Sequence, residues 1–155
     1  MEQQKKQEME NHLLKSEFIP YEEALALKEL GFDEKCLTSY RSKTTDQGNE
    51  GEFLYSPIPL GDIGFIAFKY SNYNDTYFVS APIYQQAFRW FREECNLLHI
   101  INIDLSDNLK DKVYVYSIED HLGSIVDRSE EFKTYEEAEL ACLKKLIEIV
   151  NQNKD

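Results

Sequence analysis

The stretch Pro82-Ile83-Tyr84-Gln85-Gln86-Ala87-Phe88-Arg89-Trp90-Phe91-Arg92-Glu93-Glu94-Cys95 decides how the rest of the chain is read. Ile83, Tyr84, Ala87, Phe88, Trp90 and Phe91 recur at helical spacing and cover one broad apolar face. Proline sits well in a first turn, where its missing N–H costs nothing, so the helix is predicted to open at Pro82 and to end near Asn96. Such a face has to be buried. Opposite it lie Gln85, Arg89 and Arg92, a polar strip and the one locally basic surface that the sequence places.

Beyond this helix the period changes to that of strands. Leu97–Leu105 and Lys112–Ile118 are predicted strands joined by a polar loop, Ser106-Asp-Asn-Leu-Lys-Asp. Asp120-His-Leu-Gly reads as a turn into a third short strand near Ser124–Asp127, which completes a meander. Thr134 with Glu137 forms the signature of a capping box. Tyr135, Ala138, Cys142, Leu146 and Ile149 then line one stripe of a helix that is expected to end near Val150 and to pack on the sheet.

Before the decisive helix the signals are shorter. Pro20 is expected in the first turn of a helix running to Leu30, with Glu22 and Glu23 at its positive end and Gly31 as a left-handed stop. Cys36–Arg41 and Glu52–Ser56 flank the polar stretch from Thr44 to Gly51 and read as a hairpin. Gly64–Tyr70 and Thr76–Ser80 flank Ser71-Asn-Tyr-Asn-Asp and read as a second. The expected class is therefore α+β: short antiparallel sheets packed against two or three helices, with a C-terminal half ordered helix-strand-strand-strand-helix. Residues 1–16, rich in Gln, Glu and Lys, are expected to be a flexible segment, 17–150 a single α+β domain, and 151–155 a frayed tail.

Composition bounds what such a domain does. At 155 residues with 42% hydrophobic side chains, the chain is long and apolar enough to fold around a core. Its formal net charge of -12 repels phosphate backbones and anionic headgroups, so nucleic acid is a poor expected partner. Twelve of the twenty aromatics fall between Phe53 and Phe91 without a basic groove beside them, which indicates core and not a base-stacking platform. No apolar run approaches the length that spans a bilayer. Cys36, Cys95 and Cys142 are odd in number and widely spaced, which fits reduced thiols in a cytoplasm.

Catalytic and metal signatures are scarce. Cys95 and His99 have i, i+4 spacing, but a helix ending between them breaks the geometry and no second ligand pair accompanies them, so the expectation is that no metal binds. His121, beside Glu119 and Asp120, is a weak acid/base candidate in a turn. The chain has no nucleophile elbow, Walker loop, dinucleotide fingerprint or HExxH, and no cofactor is called for. These absences lower the case for an enzyme without removing it. Acidity is uneven: from Glu119 to Glu139 eight carboxylates face Arg128 and Lys133, a local charge of -6. Glu136, Glu137 and Glu139 also suit the positive end of their own helix. Glu130, Glu131 and Glu136 are the candidates for an acidic protein-binding surface.

From Pro82 to Val150 the predicted order is similar to the topology of a double-stranded-RNA-binding domain. That family places lysines at the start of its last helix, whereas Tyr135-Glu-Glu-Ala-Glu stands here, so the resemblance is one of scaffold. Three segments carry a second resemblance: residues 18–34, beginning Phe18-Ile-Pro-Tyr-Glu-Glu-Ala; residues 81–93, Ala81-Pro-Ile-Tyr-Gln-Gln-Ala-Phe-Arg-Trp-Phe-Arg-Glu; and residues 135–150, beginning Tyr135-Glu-Glu-Ala-Glu-Leu-Ala-Cys. Through them the chain resembles a family of uncharacterised small proteins from phages and prophages of Bacteroidota. That resemblance implies a phage-encoded accessory protein in the cytoplasm of a bacterial host and brings no catalytic residues. The resulting expectation is a non-enzymatic module that binds a host or phage protein, of undetermined oligomeric state. The alternatives are a small enzyme with scattered carboxylates and a weak RNA binder through the Arg89 face.

Overall fold

The computed structural model describes residues 15–44, 48–54, 58–60, 65–67, 74–105 and 112–153. The expectations for residues 1–14 and for the loop 106–111 lie outside the described residues, as do parts of the two predicted hairpin tips. The class is α+β, with helices α1 (Tyr21–Leu30), α2 (Tyr84–Glu94) and α3 (Tyr135–Gln152). Strands are β1 (Thr38–Arg41), β2 (Ile58–Leu60), β3 (Phe65–Ala67), β4 (Phe78–Ala81), β5 (Leu97–Leu105), β6 (Lys112–Asp120) and β7 (Ile125–Arg128). No helix among the described residues is long and apolar enough to cross a membrane. The chain divides into two compact units, Met1–Tyr84 and Gln85–Asp155.

In the first unit α1 ends as its sequence dictates. Gly31 adopts φ 105°, its N–H donates to the Lys28 carbonyl, and the Phe32 N–H donates to Leu27 at 2.9 Å, which closes the last turn. Pro20 stands at the cap position, one residue before the predicted first turn, and no side chain caps this end. Strand β1 pairs antiparallel with β4, Thr38 opposite Ala81 and Arg41 opposite Phe78. On its other edge Tyr40 bridges Phe53, so the first predicted hairpin survives as a short contact. The second hairpin is re-paired: β3, inside Gly64–Tyr70, joins β2, while β4 joins β1. Tyr40 is the centre of this unit. Its hydroxyl donates to the Ile19 carbonyl at 2.6 Å, and its ring meets Tyr21 and Phe53. Burial, and then the charge of buried Glu23, push its phenol up to about 12.

Helix α2 begins at Tyr84, two residues after Pro82. The delay has a backbone cause: the Pro82 carbonyl accepts from Ile19 N–H, Ile83 bridges Phe18, and the Tyr84 N–H donates to Glu17. Pairing holds the chain extended through Ile83. Ala87, Phe88, Trp90 and Phe91 are then buried as the periodicity requires, joined by Gln86. Ile83 and Tyr84 are only half-buried.

In the second unit β5, β6 and β7 form an antiparallel meander in that order, with a bulge between Ile118 and Glu119. Directly opposed residues share a face, so His99 lies with Ile118, Ile101 with Tyr116, and Ile103 with Tyr114. Phe88 stacks on the His99 ring at 3.7 Å, which sets α2 on that face. Phe132 stacks near Tyr116, Tyr135 meets Tyr114 edge-on, and α3 packs on β6 and β5, so the last helix covers the same face. Its buried stripe is Ala138, Cys142, Leu143, Leu146 and Ile147; of the predicted stripe, Tyr135 stays exposed beside Tyr114 and Ile149 is only half-buried. The capping box forms as read: the Thr134 hydroxyl accepts from Glu137 N–H at 3.1 Å, and the Glu137 carboxylate accepts from Thr134 N–H at 3.3 Å.

Two substitutions check this account. Trp90→Ala is expected to cost roughly 3–5 kcal/mol, because Trp90 is 6% exposed and the void left behind cannot fully collapse. Thr134→Ala is expected to cost about 1 kcal/mol, the usual value of a lost cap. Urea unfolding of each variant beside the wild type measures both, and a Trp90→Ala midpoint equal to wild type would contradict the burial of α2.

Candidate functional site

A shallow open groove of about 550 Å³ runs along the start of α3. Glu131, Phe132 and Lys133 form one wall, and Glu137, Leu140, Ala141 and Lys144 form the other. Local structure fixes both walls. Phe132 exchanges backbone hydrogen bonds with Tyr114 at 2.8 and 2.9 Å, which holds the segment after β7 against the edge of β6. Glu137, Leu140, Ala141 and Lys144 follow at i, i+3, i+4 and i+7, one continuous face of a helix. The floor is half-buried Phe132, Leu140 and Ala141; the rim is charged.

The eight carboxylates from Glu119 to Glu139 are not equivalent. Asp120 closes its turn by accepting from Leu122 and Ser124 N–H at 2.8 and 2.9 Å, and the backbone donors of Ser124 and then Leu122 hold its carboxyl below the usual range. Asp127 lies 3.9 Å from Lys145 and hydrogen-bonds Tyr116, whose phenol is pushed up to about 12, chiefly by burial and then by that charge. Glu137 is held in the cap. Glu139 hydrogen-bonds Tyr135, whose phenol is raised by burial first and by Glu139 next. Four of the eight therefore serve the fold. Glu130, Glu131 and Glu136 are exposed, and only Glu131 lines the groove; Glu130 and Glu136 flank its walls in sequence. Lys133 and Lys144 line the groove with Glu131, so its surface carries both signs.

The basic strip is placed as its spacing implies: Gln85, Arg89 and Arg92 are exposed on α2, and Arg92 lies 3.5 Å from Glu93. None of the three lines the groove. His121 is exposed in the turn before β7. Cys95 follows the last turn of α2 and Asn96 takes φ 54°, so His99 lies in β5 and not on the helix. Among the described residues no group of three or more His, Cys, Asp or Glu side chains could hold a metal.

Phe132, Lys133, Leu140, Ala141 and Lys144 carry no motif, yet they complete the groove. For Leu140, Ala141 and Lys144 a signal was available in the second, half-apolar stripe of α3, which runs beside the buried one; Phe132 and Lys133 precede the helix and carried none.

His99 offers a pH test of the core. Burial, and then the Arg92 charge, lower its pKa to about 4, from an unfolded value of about 6.5. The unfolded chain therefore binds the proton first, so this contribution to stability is complete above pH 6.5 and is lost as pH falls toward 4. Urea midpoints at pH 7 and 4.5 should differ more for wild type than for His99→Phe. The difference expected is roughly 1–2 kcal/mol, discounted because His99 is only half-buried. Equal pH responses would show that His99 protonates as readily in the folded chain.

No protein-family model, curated protein or solved structure matches the chain.

Proposed function

We propose that this chain is a non-catalytic accessory module of phage type that acts in the cytoplasm of a bacterial host by binding a protein through the acidic side of the α3 groove. The observation that carries the reading is the division of labour among the carboxylates. Asp120, Asp127, Glu137 and Glu139 are engaged by the fold, whereas Glu130, Glu131 and Glu136 stand exposed, Glu131 in the wall of a groove with an apolar floor and the other two next to its walls in sequence. Exposed carboxylates attract a basic segment over a Debye length and steer its approach. Phe132, Leu140 and Ala141 supply the apolar area that such a segment would cover. A net charge of -12 favours basic protein surfaces and opposes nucleic acid.

The test is a charge reversal with the fold monitored. Tagged wild-type chain and the Glu130→Lys, Glu131→Lys, Glu136→Lys variant are expressed in host cells, and the co-eluting species are identified. A protein retained by wild type and lost by the variant is expected, with association slowed roughly tenfold at low salt and the two rates converging at high salt. Reversal at Glu136 opposes the helix dipole and is expected to cost only about 0.3–1 kcal/mol, which circular dichroism and urea unfolding check separately. Recovery of the same protein by both chains would remove the acidic surface from the account. RNA that co-elutes with wild type at physiological salt and disappears on Arg89→Ala would replace the reading with binding through α2.

A further inference from the structure

The sheet-side wall of the α3 groove turns backbone groups toward the open space. Phe132 N–H donates to the Tyr114 carbonyl at 2.8 Å, and Tyr114 N–H donates to the Phe132 carbonyl at 2.9 Å. In a planar trans peptide the C=O and the N–H point in opposite directions. The Glu131 carbonyl shares a peptide with Phe132 N–H, and Lys133 N–H shares one with the Phe132 carbonyl, so both point away from β6. The side they point to is the groove: Lys133 N–H meets the Glu137 carboxylate at 3.2 Å, and Glu137 belongs to the facing wall. The helix cap thus satisfies Lys133. Among the described residues neither the N–H nor the carbonyl of Glu131 has a hydrogen-bond partner.

We propose that the segment held by this groove is an extended strand of the partner protein, paired antiparallel with Glu131 and covered by the second stripe of α3. The inference rests on the reading that a basic segment occupies the groove, and it supplies that segment's conformation and pattern. One residue of the occupant exchanges two hydrogen bonds with Glu131, accepting from its N–H and donating to its carbonyl. The cap selects the direction. A parallel strand would need the Glu131 carbonyl and the Lys133 N–H together, and Glu137 already holds the second. A helix offering the same charges would bring no free N–H to Glu131 beyond its own first turn.

Position then dictates the occupant's side chains. The residue opposite Glu131 stands beside an exposed carboxylate, with exposed Glu130 next in sequence, and cross-strand pairs of opposite charge are favourable. Lysine or arginine fits there. The neighbouring residue, opposite Phe132, lies on the face that Phe132 shares with half-buried Leu140 and Ala141, so it is apolar. Side chains of a strand alternate between faces, and the fitting sequence therefore alternates apolar and basic residues.

The test is an NMR titration of the isotope-labelled full chain with a capped peptide of alternating lysine and valine, about seven residues long. Binding is expected with a Kd on the order of 100 µM at low salt, shifting Glu131, Phe132, Leu140 and Ala141 and slowing exchange of the Glu131 amide. Methylating the lysine backbone amides removes the N–H groups that reach Glu131 and should weaken binding roughly tenfold. Methylating the valine amides, which point the other way, should not. Ala141→Arg, which fills the floor with a like charge, should abolish binding while circular dichroism stays unchanged. Equal affinities for the two methylated peptides, or no shift at the groove residues at about 1 mM peptide, would overturn the strand. Either result leaves the acidic-surface reading standing if host-cell capture is still lost on charge reversal. A glutamate and valine peptide that binds as tightly as the lysine one would instead remove the acidic surface and keep the backbone pairing.

Discussion

Nine consecutive antiparallel pairs tie β5 to β6, from Leu97 opposite Asp120 to Leu105 opposite Lys112, and the second unit depends on that register. Side chains alternate between faces with a period of two, so a slip by one residue would exchange every inward and outward position. His99 would leave Phe88, and Ile118, fully buried in the observed register, would turn to solvent. Tyr116 would lose Phe132, and with it the wall of the groove. The helices enforce the register on one face, and on the other Val113 and Val115 are buried in β6. On that second face Leu98 and Ile100 of β5 are partly exposed.

The first unit is organised differently, around one polar contact inside an apolar setting. Tyr40 joins β1 to the segment before α1 through the Ile19 carbonyl, and its ring sits within an aromatic group that includes Tyr21 and Phe53. Among the described residues no buried side-chain nitrogen or oxygen lacks a partner, so buried Glu23, Thr38, Ser39 and Ser80 carry no uncompensated polar cost. A hydroxyl fixed in this way makes ring position specific as well as favourable.

What could be read from the sequence divides along the range of the interactions. The stop at Gly31, the capping box at Thr134 and the turn at Asp120 were legible because a few adjacent residues supply all of their hydrogen bonds. The meander was legible because its strands are consecutive and their apolar alternation is sustained. The partner of β4 was not, since β-branched and aromatic runs specify a strand but leave its neighbour to distant contacts, here β1. The start of α2 was misplaced for a related reason: pairing with Glu17–Ile19, far away in sequence, overrode the preference of Pro82 for a first turn. In the candidate site the count of carboxylates was visible, but not which of them the fold engages. Asp127 meets Lys145, and Glu139 meets Tyr135, only once α3 lies on β6.

The three thiols differ in a way that follows from their surroundings. Cys142 is fully buried in the α3 stripe, and burial, then the charges of Asp127 and Glu139, push its pKa up to about 12; Cys36 is also fully buried, and Cys95 is half-exposed. A thiol attacks an alkylating reagent as the thiolate, so at neutral pH Cys142 is protected twice, by lack of access and by its proton. Its modification requires α3 to leave the sheet. The rate at which Cys142 is labelled is therefore a clock for opening of the last helix, whether that helix leaves the sheet alone or with the rest of the unit.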